Sequence, residues 1–450
     1  MVKEMDYKQY FKGKKITVMG LGVLGRGVGD TAFLSEMGAE LIVTDLKTEA
    51  DLKKSLDELK GYENITYVLG EHRLEDFTDR DMILKAAGVP LDSPYIEAAR
   101  AHNVPIKMSA SLVAELTPAT IICITGSRGK SSVTHLVYHI LKEALRQSSG
   151  QAGRGVFLGG NVRGIATLPV LREAKKGDYI VMELDSWQLQ GFGEAHVSPH
   201  IAVFTTFYPD HMNYYKGDMQ TYFGDKAHIY KYQTKDDILI TTSQVEGEIK
   251  KYDKRSIASK RIIAGPFNTD NPSLIGDHNK LNTGCAAEVA RVLGIPASVI
   301  QKAIDSFPGV EGRLQFVREI DGVKIYNDNN ATTPTATHVA LEALDPQGKQ
   351  NILLICGGTD KGLPDVKTGI REAVHKHAKR VFFLSGTGTD RVKGPEDTVY
   401  DSLREAVTAA RGAAVTGDII LFSPAFASFG MFKNEYDRND QFLDIIQKLS

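Results

Sequence analysis

Residues 121–140 read IICITGSRGKSSVTHLVYHI, an apolar run that ends in a Gly-Lys-Ser turn and continues at helical spacing. A strand, a glycine-rich turn and a helix in this order are typical of a phosphate-binding loop. In such a loop, backbone N–H groups (here those of 127–131) and a lysine hold the phosphates of a nucleotide. The loop runs only from Gly126 to Ser131, two residues short of the common spacing. Since Gly-Lys-Ser alone is weak evidence, the prediction depends on the strand before it and the helix after it.

Strand-like and helical segments alternate along the whole chain of 450 residues. This alternation is typical of α/β domains with mainly parallel sheets, and the length predicts about three domains. We place an N-terminal Rossmann-like domain at 1–112 and a central P-loop ATPase-like domain with a mainly parallel sheet at 113–309. A C-terminal Rossmann-like domain follows at 310–450.

The composition argues against several classes of protein. The net charge is −2, from 54 basic and 56 acidic residues, and no block of like charge favours binding to nucleic acid or to a membrane. The three cysteines, Cys123, Cys285 and Cys356, are far apart, which suits neither a disulfide framework nor a zinc site. We recognise no signal peptide and no apolar run of about 18 residues, so we expect a cytoplasmic protein without a membrane span.

A second glycine-rich turn, Gly20-Leu-Gly22-Val-Leu-Gly25, lies between a predicted strand and a predicted helix, and Asp45 ends the next strand. This context matches the fingerprint of a dinucleotide-binding turn, which holds a pyrophosphate at a helix N-terminus. Three interpretations stay open: an NAD-dependent oxidoreductase, a purely structural turn, and a site for a UDP-sugar, which also carries a pyrophosphate.

Further stretches resemble the Mur ligase family in the same order along nearly the whole chain. They are GGNVRG at 159–164, VMELDSWQLQ at 181–190, FYPDHMNYY at 207–215, YFGDKAHIY at 222–230, GDHNKLN at 276–282, EGRLQ at 311–315, YNDNNATTP at 326–334, GGTDKG at 357–362 and SPAFAS at 423–428. The short phosphate loop is of the type that this family uses for ATP.

The resemblance implies ATP-dependent formation of an amide bond in the synthesis of a peptidoglycan precursor. The implied partners are UDP-N-acetylmuramoyl-L-alanine, ATP and an incoming amino acid, for which the motifs most resemble the members that add D-glutamate. The implied reaction passes through an acyl-phosphate intermediate. The domains would bind the UDP moiety, ATP and the amino acid, in chain order. The family also implies Mg²⁺ at two sites, a carbamylated lysine at Lys226 and a monomer.

The resemblance carries roles to matching positions of this chain. Catalytic roles fall on Lys130, Glu183, His211 and Lys226, and metal binding on Ser131, Glu183, His211 and Lys226. The implied ATP contacts are Gly126, Ser127, Arg128, Gly129, Lys130, Ser131, Ser132, Asn279, Asn282, Arg313 and Asp328. The implied UDP-sugar contacts are Gly22, Val23, Leu24, Asp45, Lys47, Gly88, Asn161, Asp185 and Gln188, and the amino-acid contacts are Thr332, Lys361 and Ser428. On residue type alone, Lys226 is typical of a solvated helix lysine and His211 of a structural histidine.

The sequence departs from the family pattern at one pair of residues and at two single positions. Asn329-Asn330 replaces the usual Ser-Lys pair, Asp185 replaces a serine, and Glu435 replaces an aromatic residue. A lost ammonium and an added carboxylate both disfavour a dianionic amino acid, unless Lys361 or Lys433 compensates. The amino acid could therefore be L-glutamate or another one. A non-catalytic nucleotide-binding relative is a further alternative, as is the oxidoreductase.

Overall fold

A computed structural model gives the structure of residues 6–147, 153–360, 362 and 366–449. The described residues form three β-sheets with helices between the strands. The α/β class with mainly parallel sheets is therefore confirmed. The chain divides into two compact units, residues 1–265 with 284–303 and residues 266–283 with 304–450.

The first sheet contains the strands β1 (Lys15–Met19), β2 (Glu40–Asp45), β3 (Ile65–Leu69), β4 (Met82–Lys85) and β5 (Ile106–Lys107). They are parallel and lie in the order β3-β2-β1-β4-β5. The chain moves outward from β1 to β3 and returns to the other side of β1 at β4. The crevice between the carboxyl ends of β1 and β4 is therefore a topological switch point, where open parallel sheets bind ligands.

The helices around this sheet are α1 (Tyr7–Phe11), α2 (Arg26–Glu36), α3 (Glu49–Glu58), α4 (Pro94–Ala101) and α5 (Ser109–Leu116), with a 3₁₀ helix at Leu74–Phe77. Helix α2 begins directly after Gly25, which has a left-handed φ of 81°. The predicted domain boundary at 112 falls inside α5.

The second sheet contains β6 (Thr120–Thr125), β7 (Val156–Gly160), β8 (Tyr179–Glu183), β9 (Ile201–Phe204), β10 (Ile238–Thr241) and β11 (Lys260–Ile263). All are parallel, in the order β11-β10-β9-β6-β8-β7. Strand β6 is central and lies between β8 and β9. The segments that follow these three strands therefore meet at one edge of the sheet.

The helices of the second sheet are α6 (Lys130–Gln147), α7 (Val170–Glu173), α8 (Ser186–Ala195), α9 (Met219–Ala227) and α10 (Ser243–Tyr252). Two further helices, α11 (Asp277–Val292) and α12 (Ala297–Asp305), each contain residues assigned to both units. Among the described residues, no helix combines the length and the apolar character needed to cross a membrane.

The third sheet contains β12 (Gln315–Ile320), β13 (Val323–Asn327), β14 (Ile352–Gly357), β15 (Ala378–Leu384), β16 (Val399–Tyr400) and β17 (Ile419–Phe422). The order is β12-β13-β17-β14-β15-β16, and only the β12–β13 pair is antiparallel among the pairs described. The helices are α13 (Pro334–Leu344), α14 (Val366–His377), α15 (Thr387–Val392), α16 (Leu403–Ala413) and α17 (Glu435–Gln447). Apolar clusters cover both faces of this sheet.

Candidate active site

The short phosphate loop joins β6 to the N-terminus of α6, as the sequence predicts. Gly126 has a φ of 152°, and a Cβ atom there would lie 2.0 Å from Thr205 Oγ1, so only glycine fits. Two N–H groups expected at the phosphates have protein acceptors instead. Ser127 N donates to Thr206 O and Arg128 N to Thr206 Oγ1, both at 2.8 Å. The segment after β9 therefore packs against the loop and accepts a hydrogen bond from each of these two groups.

Two lysine ammonium groups converge on one carbonyl of this loop. Lys130 Nζ donates to Gly126 O at 2.9 Å, and Lys226 Nζ donates to the same oxygen at 3.1 Å and to Thr125 Oγ1 at 3.4 Å. Lys226 is 1% exposed, which contradicts its interpretation as a solvated helix lysine. Burial first, and the charge of Lys130 second, lower the pKa of Lys226 to about 7. A large share of its amine is therefore neutral at physiological pH.

Glu183 lies on the strand next to the one that leads into the loop. Glu183 ends β8, is 5% exposed, and is the Cα partner of Ile124 on β6. The next residue, Leu184, donates its N–H to Ile124 O at 2.9 Å. The structure thus brings a buried carboxylate to the strand that leads into the phosphate loop.

His211 lies in the segment after β9, with a left-handed φ of 53°. Its ring packs on Trp187, with 4.5 Å between centroids, and Nε2 is 3.9 Å from Asp210 Oδ2. Burial lowers the pKa of His211; Asp210 opposes this shift, and Lys130 adds to it. The imidazole is therefore neutral at pH 7, which is the form that can bind a metal ion.

Asp185 and Gln188 form the N-terminal cap of α8. Asp185 Oδ1 accepts from Gln188 N at 2.8 Å, and Gln188 Oε1 accepts from Asp185 N at 3.2 Å. This is a capping box, and aspartate serves as well as serine at its first position. The substitution at 185 therefore keeps the local structure and does not by itself indicate lost activity.

The glycine-rich turn and the end of β4 form the two walls of a cleft of about 350 Å³ at the switch point of the first sheet. Among the predicted UDP-sugar contacts, Gly22, Val23, Leu24, Lys47, Gly88 and Gln188 line this cleft. Asp45 is 6% exposed, and both carboxylate oxygens accept backbone N–H groups, from Gly22 and Lys47, at 2.9 Å each. Asp45 therefore shapes the turn, whereas an NAD-binding site would use this carboxylate for a ribose hydroxyl.

Two basic residues that line the cleft were not predicted from the sequence. Arg26, the first residue of α2, donates to Asn161 Oδ1 and so orients a predicted UDP-sugar contact. Lys85 ends β4, is 2% exposed and also lines the cleft. A basic residue directly after the third glycine was a usable signal for Arg26. A lysine that ends a buried strand was the corresponding signal for Lys85.

The second unit contains the remaining predicted ATP contacts. Asp328 follows β13, and its carboxylate accepts from Leu314 N at 3.0 Å and from Ser423 Oγ at 2.9 Å. Burial raises the pKa of Asp328 to about 7, and the hydrogen bonds from Ser423 and Leu314 and the charge of Arg313 oppose this shift. Asn279 and Asn282 are buried on α11, and Asn282 Nδ2 donates to Asn279 Oδ1 at 3.2 Å.

The predicted amino-acid contacts lie on two loops of the second unit. Thr332 directly follows Ala331, and the carbonyl of Ala331 accepts from Ala425 N at 2.8 Å. This hydrogen bond joins the loop of Thr332 to the loop that carries Ser428. Ser428 is 4% exposed. Lys361 lies outside the described residues.

Models of three Mur ligase domains match this chain in order. They are the "Mur ligase MurD-like, N-terminal domain" at 14–107, the "Mur ligase middle domain" at 124–271 and the "Mur ligase, glutamate ligase domain" at 312–426. The chain is 34% identical to the UDP-N-acetylmuramoylalanine–D-glutamate ligase of Roseiflexus sp., over 97% of this chain and 99% of that protein. The chain belongs to the Mur ligase family.

Other relatives and solved structures agree with this assignment. The enzyme of the same name from Acetivibrio thermocellus is 32% identical, over 99% of this Mur ligase and 98% of that protein. The fold matches the crystal structure of the UDP-N-acetylmuramate–alanine ligase MurC of Thermotoga maritima, with a TM-score of 0.58, 19% identity and 96% and 99% of the two chains covered. It also matches MurF ligase of the same organism in complex with ADP, with a TM-score of 0.59, 16% identity and coverage of 100% and 96%. The oxidoreductase alternative is not favoured, since the N-terminal Mur ligase model covers the glycine-rich turn at Gly20–Gly25.

In this Mur ligase the substituted positions Asn329 and Glu435 adjoin a buried arginine that was missed from the sequence. Arg438 on α17 is 0% exposed; its Nε donates to Asn329 Oδ1 at 2.8 Å and its Nη2 to Asn329 O at 2.9 Å. Its Nη1 donates to Phe426 O at 3.1 Å. Asn329 Nδ2 donates to Glu435 O at 3.0 Å. Arg438 is therefore a cation in contact with Asn329, whereas the sequence suggested Lys361 and Lys433 as compensating cations.

Proposed function

We propose that this protein joins D-glutamate to UDP-N-acetylmuramoyl-L-alanine at the expense of ATP, in the synthesis of peptidoglycan precursors. The observation that carries the proposal is the full-length similarity to ligases of that name. It is supported by a phosphate loop and a cleft at two switch points of the first unit. We further propose a monomer that acts in the cytoplasm.

The proposed reaction has two steps. The carboxylate of the alanyl group attacks the γ-phosphorus of ATP, and the bond to the β-phosphate oxygen breaks, which gives an acyl phosphate and ADP. The amino group of glutamate then attacks the acyl carbon and loses a proton, and phosphate leaves. Lys130 and the N-terminus of α6 would hold the phosphates and stabilise their charge in the first step.

The other predicted ATP contacts fall into two groups. The loop residues Gly126, Ser127, Arg128, Gly129, Ser131 and Ser132 would surround the phosphates. Asn279, Asn282, Arg313 and Asp328 would contact the adenosine and phosphate parts. The pKa of Asp328, raised to about 7, makes this carboxyl group a ready hydrogen-bond partner in either protonation state.

The residues beside the loop fit Mg²⁺ by their donor chemistry. Ser131 and Glu183 offer a hydroxyl and a carboxylate, which are oxygen donors of the kind that Mg²⁺ prefers. The neutral imidazole of His211 and a carbamate on Lys226 would serve a second ion. Within the described residues no three His, Cys, Asp or Glu side chains gather as a metal-binding group. Bound Mg²⁺ would neutralise the crowded phosphates.

Carbamylation of Lys226 is favoured by its surroundings. The neutral amine attacks the carbon of CO₂, a proton leaves the nitrogen, and a carbamate anion forms. A pKa of about 7 makes the neutral amine abundant. The anion would then lie next to the ammonium of Lys130, which replaces a repulsion between two cations by an attraction.

The cleft of the first unit would bind the UDP-sugar through Gly22, Val23, Leu24, Asp45, Lys47, Gly88, Asn161, Asp185 and Gln188. Asp45 and Asp185 would act mainly by shaping the turn and the helix start. Thr332, Lys361 and Ser428 would bind the amino acid. We keep the domain limits 1–112, 113–309 and 310–450 as part of this proposal.

The test is release of phosphate from ATP in the presence of UDP-N-acetylmuramoyl-L-alanine and a panel of amino acids. D-glutamate should give the highest kcat/KM, and mass spectrometry should find the amide product. A preference for L-glutamate or for a neutral amino acid would retain the chemistry and reject the substrate. Phosphate release that does not depend on any amino acid would reject the ligase assignment, and so would its complete absence, which the non-catalytic alternative predicts.

A further inference from the structure

The last residue of β4 lies at the switch point of the first sheet. Lys85 is the Cα partner of Met19 on β1, the residue directly before Gly20, and Ala86 N donates to Met19 O at 2.9 Å. A Cβ atom at Gly20 would lie 2.9 Å from Ala86 Cβ. The turn after β4 therefore packs against the start of the glycine-rich turn at the base of the cleft. Both turns line the cleft.

The ammonium of Lys85 is held by backbone carbonyls. Nζ donates to Val89 O at 2.6 Å, to Ala86 O at 3.1 Å and to Ala87 O at 3.4 Å. Lys85 is 2% exposed, and within the described part of the chain no carboxylate lies within ion-pair distance of it. The charges that act on it from neighbouring elements are Asp185, Asp225, Glu194 and Arg100. A buried cation that binds three carbonyls of one turn fixes the conformation of that turn.

This arrangement also fixes the direction of the N–H groups. A trans peptide is planar, so its N–H points opposite to its C=O, and none of the described peptide bonds is cis. Since Ala86 O and Ala87 O point at the ammonium, the N–H groups of Ala87 and Gly88 point away from it. For these two N–H groups the described residues provide no acceptor. Both residues line the cleft.

We propose that Lys85 is a positioning residue that builds an anion-binding turn at 85–89. Successive N–H groups that point the same way form a concave site for negatively charged or acceptor oxygens. The ammonium behind the turn adds its positive potential in the same direction. The ligand chemistry is the phosphate and carbonyl oxygens of a uridine diphosphate, which reach the turn from the facing glycine-rich turn. The inference rests on the proposed function for the identity of this ligand.

The test is calorimetric titration of the full-length protein with UDP and with UDP-N-acetylmuramoyl-L-alanine. Methionine has a side chain of similar length to lysine and no charge, so Lys85→Met should weaken UDP binding at least tenfold. The control Lys15→Met changes a half-exposed lysine at the start of β1, which pairs with Asp79 at 3.1 Å, and should leave UDP affinity unchanged. Lys85→Arg, which keeps a charged donor, should recover part of the loss.

A pH series separates this role from general support of the fold. Burial lowers the pKa of Lys85 to about 8, and the nearby carboxylates only partly oppose this. Wild-type affinity for UDP should fall several-fold between pH 7 and pH 9, because the ammonium loses a proton. The phosphate groups of UDP are almost fully ionised throughout this range, since a terminal phosphate loses its second proton at a pKa of about 6. Lys85→Met should show no such fall, and ADP affinity should stay constant in both.

The results distinguish this inference from the proposed function. Unchanged UDP affinity in a folded Lys85→Met protein, or a wild-type affinity that is flat from pH 7 to 9, would overturn the positioning role while ligase activity persisted. If Lys85→Met does not fold, the wild-type pH series alone decides. Weakened binding of the UDP-sugar without weakened binding of UDP would also overturn it, since the turn would then serve the sugar or the alanyl carboxylate. If the wild type binds no UDP-sugar at all, the proposed function fails first.

Discussion

Replacing Lys226 by methionine should raise the stability of the protein while it abolishes activity. The pKa of this buried lysine is lowered from 10.5 to about 7, a difference of about 3.5 pH units. At about 1.4 kcal/mol per unit, protonated Lys226 weakens folding by up to about 5 kcal/mol. Methionine removes this cost, but it also removes the two hydrogen bonds to Gly126 O and Thr125 Oγ1, together worth about 2 kcal/mol. The net gain is on the order of 3 kcal/mol.

The gain depends on pH in a defined direction. The pKa of Lys226 is lower in the folded state than in the unfolded state. Below about pH 7 both states are protonated, and the folded state carries the full cost. Between pH 7 and 10.5 the folded state is neutral and the cost shrinks as the pH rises. Lys226→Met should therefore be more stable than wild type at pH 6, by a rise in Tm of roughly 5 °C, and the difference should shrink towards pH 9.

The assay is a set of thermal melts from pH 6 to 9 in buffers freed of CO₂, with turnover measured in parallel. Lys142→Met is the matched control, since Lys142 is exposed on α6 in the same unit, and should change neither quantity. Turnover of Lys226→Met should fall at least about 10²-fold. Labelled bicarbonate should give a carbamate NMR signal in the wild type only. Two results would refute the reasoning about the buried amine. One is a variant with a lower Tm than wild type at pH 6, and the other is a Tm difference that stays the same at every pH.

Changes at three other positions test the same site. Lys130→Ala should lower kcat by at least about 10²-fold, the scale seen for loss of one electrostatic stabiliser, and near-wild-type turnover would reject the phosphate-loop assignment. Asp185→Ser should melt within a few degrees of wild type because the capping box survives, whereas Asp185→Ala should lose about 1 kcal/mol; equal melts would show that the cap is unimportant. Gly126→Ala should lose ADP binding in titrations, because its Cβ would lie 2.0 Å from Thr205 Oγ1, and retained affinity would contradict the fit of the loop.

Much of the site was predictable because its chemistry demands particular residues at particular strand ends. A phosphate loop needs glycine where the backbone turns, and Gly126 could not carry a side chain. Parallel strands end at one edge of a sheet, so Glu183 at the end of β8 and the residues after β9 lie at the edge that carries the loop. The capping box at Asp185 could also have been found, since an aspartate followed three residues later by glutamine is a known helix start.

The burial of long polar side chains could not be predicted. Lys85 and Lys226 are 2% and 1% exposed, although lysine is almost always a surface residue. Their burial depends on which helices cover the ends of β4 and β6, and this is a property of the tertiary packing. The short strands β5 and β16 have two residues each and leave no periodic signal.

The charge argument from the sequence changes once Arg438 is considered. The sequence suggests that Asn330 removes an ammonium and that Glu435 adds a carboxylate, which together disfavour a dianionic amino acid. Arg438 is a cation that donates hydrogen bonds to Asn329, the neighbour of Asn330 in the chain. Burial lowers the pKa of Arg438 to about 10, and the charge of Glu435 opposes this shift. The charge of Glu435 therefore acts on a nearby buried cation and is not an isolated negative charge. Because Arg438 also joins Asn329 to Phe426, it ties together the loops that carry Thr332 and Ser428. The departures from the family pattern therefore carry less weight against D-glutamate than their charges alone suggest.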